Sequence, residues 1–393
     1  MKDGRDYSEL FIAIACALAV VFTTLFLSIM PFNRGIVARR DFIVYWATGQ
    51  QLIHHGNPYD PPALNQIERD AGFEGGTSYY MRNAPWALPF AYPLGFVGAQ
   101  TAALPWSLFM LALLIASVRM LWKILGSPGS HLDWLGYCFP PALFCVILGQ
   151  TSVILLFGLA LFLRFHQSRP FAAGAALWLC TLKPHLFLPF ALIVLLWIVV
   201  TRSYRVLAGA LAAMAGGLVI TACIDPSAWS QYIYYMHTSN VTREFTACFG
   251  DVLRDAINPA AEWIAFIPAV IGCIWALAYF WPRRHKWNWI ENGAPLMLVS
   301  LLVAPFGWIF DQSLAIPAIL FAASQTTSRV LLSVLAGMFL LIEVELLRFD
   351  LHSTAYLWAA PAWLVWYLLA RASTRRDHPV RVAAPQSITA ESE

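Results

Sequence analysis

A polar segment, ARRDFIVYWATGQQLIHHGNPYD (residues 38–60), directly follows the first long apolar run of the chain. It places one carboxylate, Asp41, beside two guanidinium groups, Arg39 and Arg40. A carboxylate can accept a proton as a general base, and arginine can bind a phosphate through two parallel hydrogen bonds. These residue types favour a site for an anion with a proton acceptor beside it. The alternative is that Asp41 only caps the following helix, a contribution of about 1 kcal/mol.

Four further polar side chains stand at the ends of apolar runs, namely Gln150, Lys183, His185 and Asp311. Polar and ionisable groups near membrane level are costly and usually functional. Each also has a structural interpretation. Lys183 can reach the interface, Gln150 can bond between helices, His185 can be a core histidine, and Asp311 can cap a helix. Both interpretations stay open for these residues.

The composition indicates what must position these groups. Hydrophobic residues make up 59% of the 393 residues and charged residues only 12%, which is too little polar surface for a soluble protein. A net charge of +3 gives no sign of nucleic-acid binding. The seven cysteines are scattered without metal-ligand spacing, and a Cys223–Cys248 disulfide is a minor alternative. The chain is therefore predicted to be an all-α polytopic membrane protein.

The apolar runs recur up to residue 370, and the first is interpreted as a retained signal anchor. Several are short for a membrane of about 30 Å, and those at 134–182 and 312–324, which carry Pro or Gly, are expected to be broken or tilted. The segment 85–97 is either a re-entrant piece or the start of the second span. The predicted spans are 10–31, 100–122, 134–148, 151–166, 170–182, 185–201, 206–224, 260–281, 290–304, 312–324, 329–347 and 352–370.

The distribution of Lys and Arg predicts the orientation. With both termini in the cytoplasm, most of the 25 Lys and Arg residues fall in short inner loops, as the positive-inside rule requires. Two long loops, 33–84 and 225–258, then lie outside, and Arg39, Arg40 and Arg82 in the first of them favour an anion there. Residues 1–371 are expected to form one domain, and 372–393 a disordered cytoplasmic tail.

Helical spacing organises the opening segment. Phe42, Tyr45, Trp46 and Gly49 recur at i, i+3, i+4 and i+7, which predicts a helix over 42–55. Because polar residues fall mainly on the other face, we expect an amphipathic helix lying on the outer membrane surface, with Asp41 at its N-cap. Asp60 should cap a second short helix that begins with proline.

This segment resembles the D-F-x-V-Y-W-x-A-G-x-x-L-x-x-G-x-x-P-Y-D signature of the family 87 glycosyltransferases, polytopic GT-C enzymes that include polyprenyl-phosphate-mannose-dependent mannosyltransferases. Weaker similarities follow in the same order, and the resemblance spans about residues 40–315. One proline of the family's Y-P-P segment is replaced by Leu94, and mannosyltransferase members carry histidines where this chain has Phe310 and Asp311. The similar segments are AYPLG, LGQTSVILL (148–156), GAALWLCTLKPHLFLPF (174–190) and APFGWIFDQSL (304–314).

The resemblance implies transfer of a sugar, mannose being favoured, from a polyprenyl-phosphate donor to a lipid or glycan acceptor outside a bacterial plasma membrane. The family usually inverts the anomeric centre, and Asp41 matches its general base. Candidate donor-phosphate ligands are Arg39, Arg40, Arg82, Lys183 and His185. Candidate substrate ligands are Tyr45, Trp46, Gln150 and Asp311. No cofactor or metal-ligand cluster is identified, and a divalent cation stays an open alternative because several enzymes of this class need one.

Three other functions make different predictions for this sequence. A transporter or flippase predicts internal repeats and function on both membrane faces, whereas the polar features here gather on one face. A ligase of lipid-linked glycans predicts its largest outer loop late in the chain rather than first. In a non-catalytic scaffold, the Asp41→Asn substitution would have no effect.

Overall fold

The structure, a computed structural model, describes residues 4–75, 79–128, 131–239 and 244–377, and side chains only from 10 to 374. These residues form helices and connections without a strand. The first helices are α1 (Gly4–Ile29), α2 (Arg34–Ala38), α3 (Phe42–Ile53), α4 (Pro61–Asp70), α5 (Leu88–Ala91), α6 (Ala99–Ile124), α7 (Trp134–Tyr137), α8 (Pro140–Leu148), α9 (Ser152–Phe165) and α10 (Pro170–Cys180). The others are α11 (Leu188–Thr201), α12 (Tyr204–Ile224), α13 (Ala228–Thr238), α14 (Phe249–Ile257), α15 (Ile267–Phe280), α16 (Trp289–Leu302), α17 (Ile316–Ala323), α18 (Arg329–Arg348) and α19 (Ala359–Asp377).

Each predicted apolar run corresponds to a helix, which confirms an all-α polytopic membrane protein. Of the described stretches, seven are long and apolar enough to cross a membrane, and four more are shorter apolar helices. The seven are Leu10–Phe32, Ala99–Ile124, His131–Leu148, Pro184–Thr201, Tyr204–Ile224, Glu262–Lys286 and Arg329–Arg348. The shorter helices are Ser152–Phe165, Pro170–Cys180, Trp289–Leu302 and Ile309–Ala323.

The predicted span 134–148 is broken between α7 and α8, and the predicted polar residues lie in connections between the short apolar helices. Helix α8 ends at Gly149, whose φ of 76° is left-handed and suits glycine, and Gln150 lies in the gap before α9. Likewise α10 ends before Lys183, and Pro184 opens the 3₁₀ turn that leads into α11. Short polar connections are thus brought between apolar helices.

The prediction that α3 lies on the membrane surface is wrong. Every residue of α3 from Phe42 to Gly49 is buried, so the helix is packed inside the protein on all sides. The segment 85–97 covers part of it as short helical turns that are separate from α6. At the crossing, a Cβ on Gly49 would lie 2.4 Å from the carbonyl oxygen of Ala91, so only glycine permits this approach.

Side-chain hydrogen bonds fix the same crossing. Trp46 Nε1 donates to the carbonyl of Val97 at 2.8 Å, and Gln50 Nε2 donates to the carbonyl of Gly95 at 2.6 Å. Helix α3 is therefore held against the 3₁₀ turn Tyr92–Phe96, and the position of Asp41 at its start is fixed.

Three smaller expectations concern the cysteines, the second helix and the tail. Cys223 and Cys248 are free thiols, so they form no disulfide. Asp60 occupies the N-cap position of α4, but its side chain makes no capping hydrogen bond. Helix α19 continues to Asp377, past the predicted tail boundary, and the rest of the tail lies outside the described residues.

Candidate active site

A cavity of about 520 Å³ collects most of the predicted site residues. Its lining comes from six connections between helices, which are the six that the predicted alternation of spans assigns to the outer face. Among the described residues, none from the opposite set of connections lines it. The lining connections are 33–99, 149–151, 181–185, 225–261, 303–311 and 349–353.

Asp41 lies in this cavity and is 8% exposed. Its Oδ2 accepts a hydrogen bond from Gln150 Nε2 at 2.8 Å, and Gln150 Oε1 accepts one from the hydroxyl of Tyr45 at 3.2 Å. Asp41 occupies the N-cap position of α3, but its side chain makes no capping hydrogen bond there. The capping interpretation is therefore wrong, and the carboxylate is held by a residue 109 positions away.

The surroundings of Asp41 make it more basic than an ordinary aspartate. Burial raises its pKa, against the opposing effects of the Gln150 hydrogen bond and of the charges on Lys183, Arg82 and Arg40. A carboxylate with a raised pKa is a stronger proton acceptor when ionised.

A buried ion pair forms the second polar centre. Lys183 Nζ lies 2.7 Å from Asp311 Oδ1, with side chains only 11% and 1% exposed. Ser152 also donates to this carboxylate, and the other oxygen accepts from the backbone N–H of Trp308 at 3.0 Å. Asp311 therefore lies inside the 3₁₀ turn Ile309–Ala315 instead of before a helix beginning at 312, and it satisfies the N–H at the start of that turn while it pairs with Lys183. Lys183 Nζ stands 4.7 Å from the ring centroid of Phe310.

A third polar centre was missed by the sequence reasoning. Arg82 forms an ion pair with Glu244, whose Oε1 lies 2.9 Å from His352 Nε2. The other ring nitrogen of His352 lies 2.7 Å from Asp350 Oδ1, and hydrogen bonds from the His352 backbone and ring lower the pKa of Asp350. We call Arg82, Glu244, His352 and Asp350 the mouth network. The available signal was the charge carried by the short connection 349–353.

Three predicted residues are not brought into the cavity. Arg40 is 2% exposed and donates to Ser107 Oγ at 2.6 Å and to the carbonyls of Ile147 and Val146. These bonds tie the connection before α3 to α6 and α8, so Arg40 has a structural role here. Arg39 points to solvent and pairs with the exposed Glu74 at 3.5 Å.

Trp46 is the third of these residues, because its indole is used in the contact with Val97. The remaining candidates, His185 and Tyr45 among them, line the cavity. His185 packs edge-on against Phe306, with ring centroids 6.1 Å apart.

Aromatic side chains supply much of the remaining wall. The ring centroids of Trp86 and Trp229 lie 5.5 Å apart, and those of Trp229 and Tyr232 lie 6.1 Å apart. Such rings can stack on the apolar face of a sugar, and at this level of a membrane protein they also suit the interface with lipid. Within the described ranges, no group of three or more His, Cys, Asp or Glu side chains is arranged to hold a metal ion.

The cavity thus combines a basic carboxylate, two cations and aromatic walls, a set that can accept a proton and stabilise a developing anion. A comparison with known families gives one match, in which the model for Glycosyltransferase family 87 covers residues 82–305. No curated protein and no solved structure matches the chain. The family match includes Arg82, Gln150, Lys183 and His185, whereas Asp41 lies before it. Because the match covers more than half of the 393 residues, the chain belongs to glycosyltransferase family 87.

Proposed function

We propose that this membrane glycosyltransferase transfers a sugar, with mannose favoured, from a polyprenyl-phosphate donor to a hydroxyl of a lipid or glycan acceptor. The observation that carries the proposal is the cavity that the basic carboxylate of Asp41 shares with the cations Arg82 and Lys183. Sugar transfer from a phosphate donor needs both functions in one place.

In the proposed step, the acceptor hydroxyl attacks the anomeric carbon while Asp41 accepts its proton. The bond between that carbon and the phosphate oxygen breaks, and the electron pair stays on the phosphate. Arg82 and Lys183 stabilise this charge, with His185 nearby as a hydrogen-bonding group. Attack from the face opposite the leaving phosphate inverts the anomeric centre. Gln150 keeps Asp41 in place, since its amide donates to the carboxylate.

The proposed phosphate site contains fewer residues than the five that the sequence predicted. Arg40 makes buried structural hydrogen bonds, and Arg39 lies on the surface, where it pairs with Glu74. Neither is therefore proposed to bind the phosphate of the sugar donor. Arg82, Lys183 and His185 remain.

The cavity is proposed to open outside the cytoplasmic membrane. Its connections are those that the positive-inside rule places outside, while connections such as 166–169 and 281–288 carry the basic residues expected inside. Thiol labelling of whole cells tests this. In a Cys223→Ser background, the exposed His55→Cys variant should react with an impermeant reagent. Ser168→Cys, exposed on the opposite connection, should react only after permeabilisation, and the reverse pattern would invert the proposed orientation.

Purified protein tests the reaction itself. Reconstituted with labelled polyprenyl-phosphate sugars and a lipid and glycan extract, the protein should release polyprenyl phosphate and label the acceptor in equal amounts. Absence of transfer from every such donor would contradict the proposal. Release of sugar to water without an acceptor product would contradict its acceptor half.

A further inference from the structure

The mouth network has a charge arrangement that the transfer step does not require. Among the described residues, both cations that line the cavity already have a carboxylate partner, Glu244 for Arg82 and Asp311 for Lys183. A phosphate that binds Arg82 must therefore come close to the carboxylate of Glu244, which already pairs with this arginine. Glu244 is in turn held by His352, which also binds Asp350.

The two ion pairs differ in their access to a ligand. The side chains of Arg82 and Glu244 are 38% and 33% exposed, whereas those of Lys183 and Asp311 are 11% and 1% exposed. Because about a third of each of these two side chains is exposed, a ligand that enters the cavity can share or replace the pairing of Arg82 with Glu244. Glu244 also contacts His352 at 2.9 Å through its other carboxylate oxygen, so a ligand that displaces it from Arg82 leaves this second contact available to hold it.

The proposed donor and product differ in charge at this position. The donor is a phosphodiester with one negative charge. The product, polyprenyl phosphate, is a monoester with a charge of about −1.5 to −2 at pH 7, as for other phosphate monoesters. A fixed carboxylate beside the phosphate therefore repels the product more strongly than the donor.

We propose that Glu244, positioned by His352 and Asp350, is a specificity-determining residue that makes the cavity prefer a phosphodiester to a phosphate monoester. This inference rests on the proposed function, since it assigns the two ligands from that reaction. Its consequence is that the product leaves and the next donor binds, even though both carry the same lipid.

The size of the effect follows from Coulomb's law. The product carries about 0.5 to 1 unit more negative charge than the donor, and at about 6 Å from a carboxylate in a partly hydrated cavity this changes a dissociation constant by roughly twofold to tenfold. Replacement of a residue that only stabilised the loop would weaken the binding of both ligands to the same degree. The ratio of the two affinities therefore separates a structural role from a role in specificity.

The test measures binding of two soluble probes, geranyl phosphate and its methyl diester, to the purified full-length chain in detergent. Calorimetry gives the ratio of the two dissociation constants for the wild type, Glu244→Gln, Glu244→Asp and Glu74→Gln. Glu74 is the matched control because it also pairs with an arginine, Arg39, but outside the cavity. We expect Glu244→Gln to strengthen monoester binding relative to diester binding by roughly twofold to tenfold. Glu244→Asp and Glu74→Gln should keep a ratio near that of the wild type.

An unchanged ratio in Glu244→Gln, or an equal loss of affinity for both probes, would overturn the inference. Where Glu244→Gln does not fold, Glu244→Ala takes its place. It removes the same charge and should shift the ratio in the same direction, and an unchanged ratio there overturns the inference equally. If the wild type transfers sugar but the ratio does not move, only this inference fails. If the wild type binds neither probe and transfers no sugar, the proposed function fails with it.

Discussion

Replacement of Asp41 by asparagine separates the chemical role of this carboxylate from its structural role. The asparagine side chain would keep an oxygen that accepts the hydrogen bond now donated by Gln150 Nε2 at 2.8 Å. The substitution would also remove a carboxylate that is 8% exposed and whose ionised form is disfavoured by burial. The protein should therefore fold with unchanged or slightly higher thermal stability, because the lost group does not cap α3.

The expected catalytic effect is much larger. A positioned general base contributes about 10² to 10⁴ to a rate, which corresponds to about 2.7–5.4 kcal/mol of activation free energy. We expect Asp41→Asn to lower kcat by that factor and to leave KM for the donor within a few-fold, because Asp41 is not one of the proposed phosphate ligands. Initial rates of sugar transfer at saturating donor give kcat, and a donor titration gives KM.

Asp60→Asn is the matched control for this prediction. Asp60 also stands at a helix N-cap in the segment between α1 and α6 and also makes no capping hydrogen bond, but it does not line the cavity. Its replacement should leave kcat within about twofold of the wild type. A folded Asp41→Asn protein with a rate within about threefold of the wild type would refute the assignment of Asp41 as the base.

Three further predictions test the supports of the site. Gln150→Leu removes a hydrogen bond that lowers the pKa of Asp41, so the acid limb of the pH–rate profile should move to higher pH, and an unmoved limb would exclude this coupling. Gly49→Ala places a methyl group 2.4 Å from a backbone oxygen and should lower thermal stability markedly, whereas Gly216→Ala, with open space around it, should not. Burial raises the pKa of Glu68 to about 8, well above its unfolded value, so its ionisation destabilises the fold as pH rises between those values. Glu68→Gln should therefore increase the free energy of unfolding at pH 8 by up to about 5 kcal/mol, seen as a higher melting temperature, and should have little effect at pH 4. Equal melting curves of the two proteins at pH 8 would contradict this.

Hydropathy was sufficient to predict the apolar helices, because a membrane chain must bury its backbone polar groups in helices wherever it contacts lipid. It did not predict α13 and α14, which lie within the predicted loop 225–258. The same reasoning placed Gln150 and Lys183 at helix ends, and the structure brings both to one cavity with Asp41. These positions are encoded locally, by an apolar run that stops and a polar residue that follows.

The partners of these residues were not encoded locally. Arg40 and Arg82 both lie in the segment between α1 and α6, yet Arg40 is bonded to backbone carbonyls of α8 and Arg82 reaches the cavity. Only the packing of α8 against the start of α3 distinguishes them. Likewise, Glu244 and His352 are 108 residues apart, and no spacing rule relates such positions.

The burial of α3 likewise depends on packing against another part of the chain. Its polar residues at 50 and 51 indicated a surface-lying amphipathic helix, but periodicity cannot tell lipid headgroups from a protein segment that folds over the same face. Gln50 bonds to the carbonyl of Gly95, so a polar side chain here marks a protein contact instead of exposure to water.

The absence of a capping bond at Asp41 bears on its proposed chemistry. Backbone N–H groups that cap a helix favour the ionised carboxylate and lower its pKa, which weakens it as a base. In this protein Asp41 stands where a cap would stand but accepts from a single neutral amide, and burial then raises its pKa. The N-cap position fixes where the carboxylate lies, while the missing capping bonds preserve its basicity. A variant in which Asp41 capped α3 and kept its bond to Gln150 should therefore move the acid limb of the reaction to lower pH and slow proton transfer at its plateau.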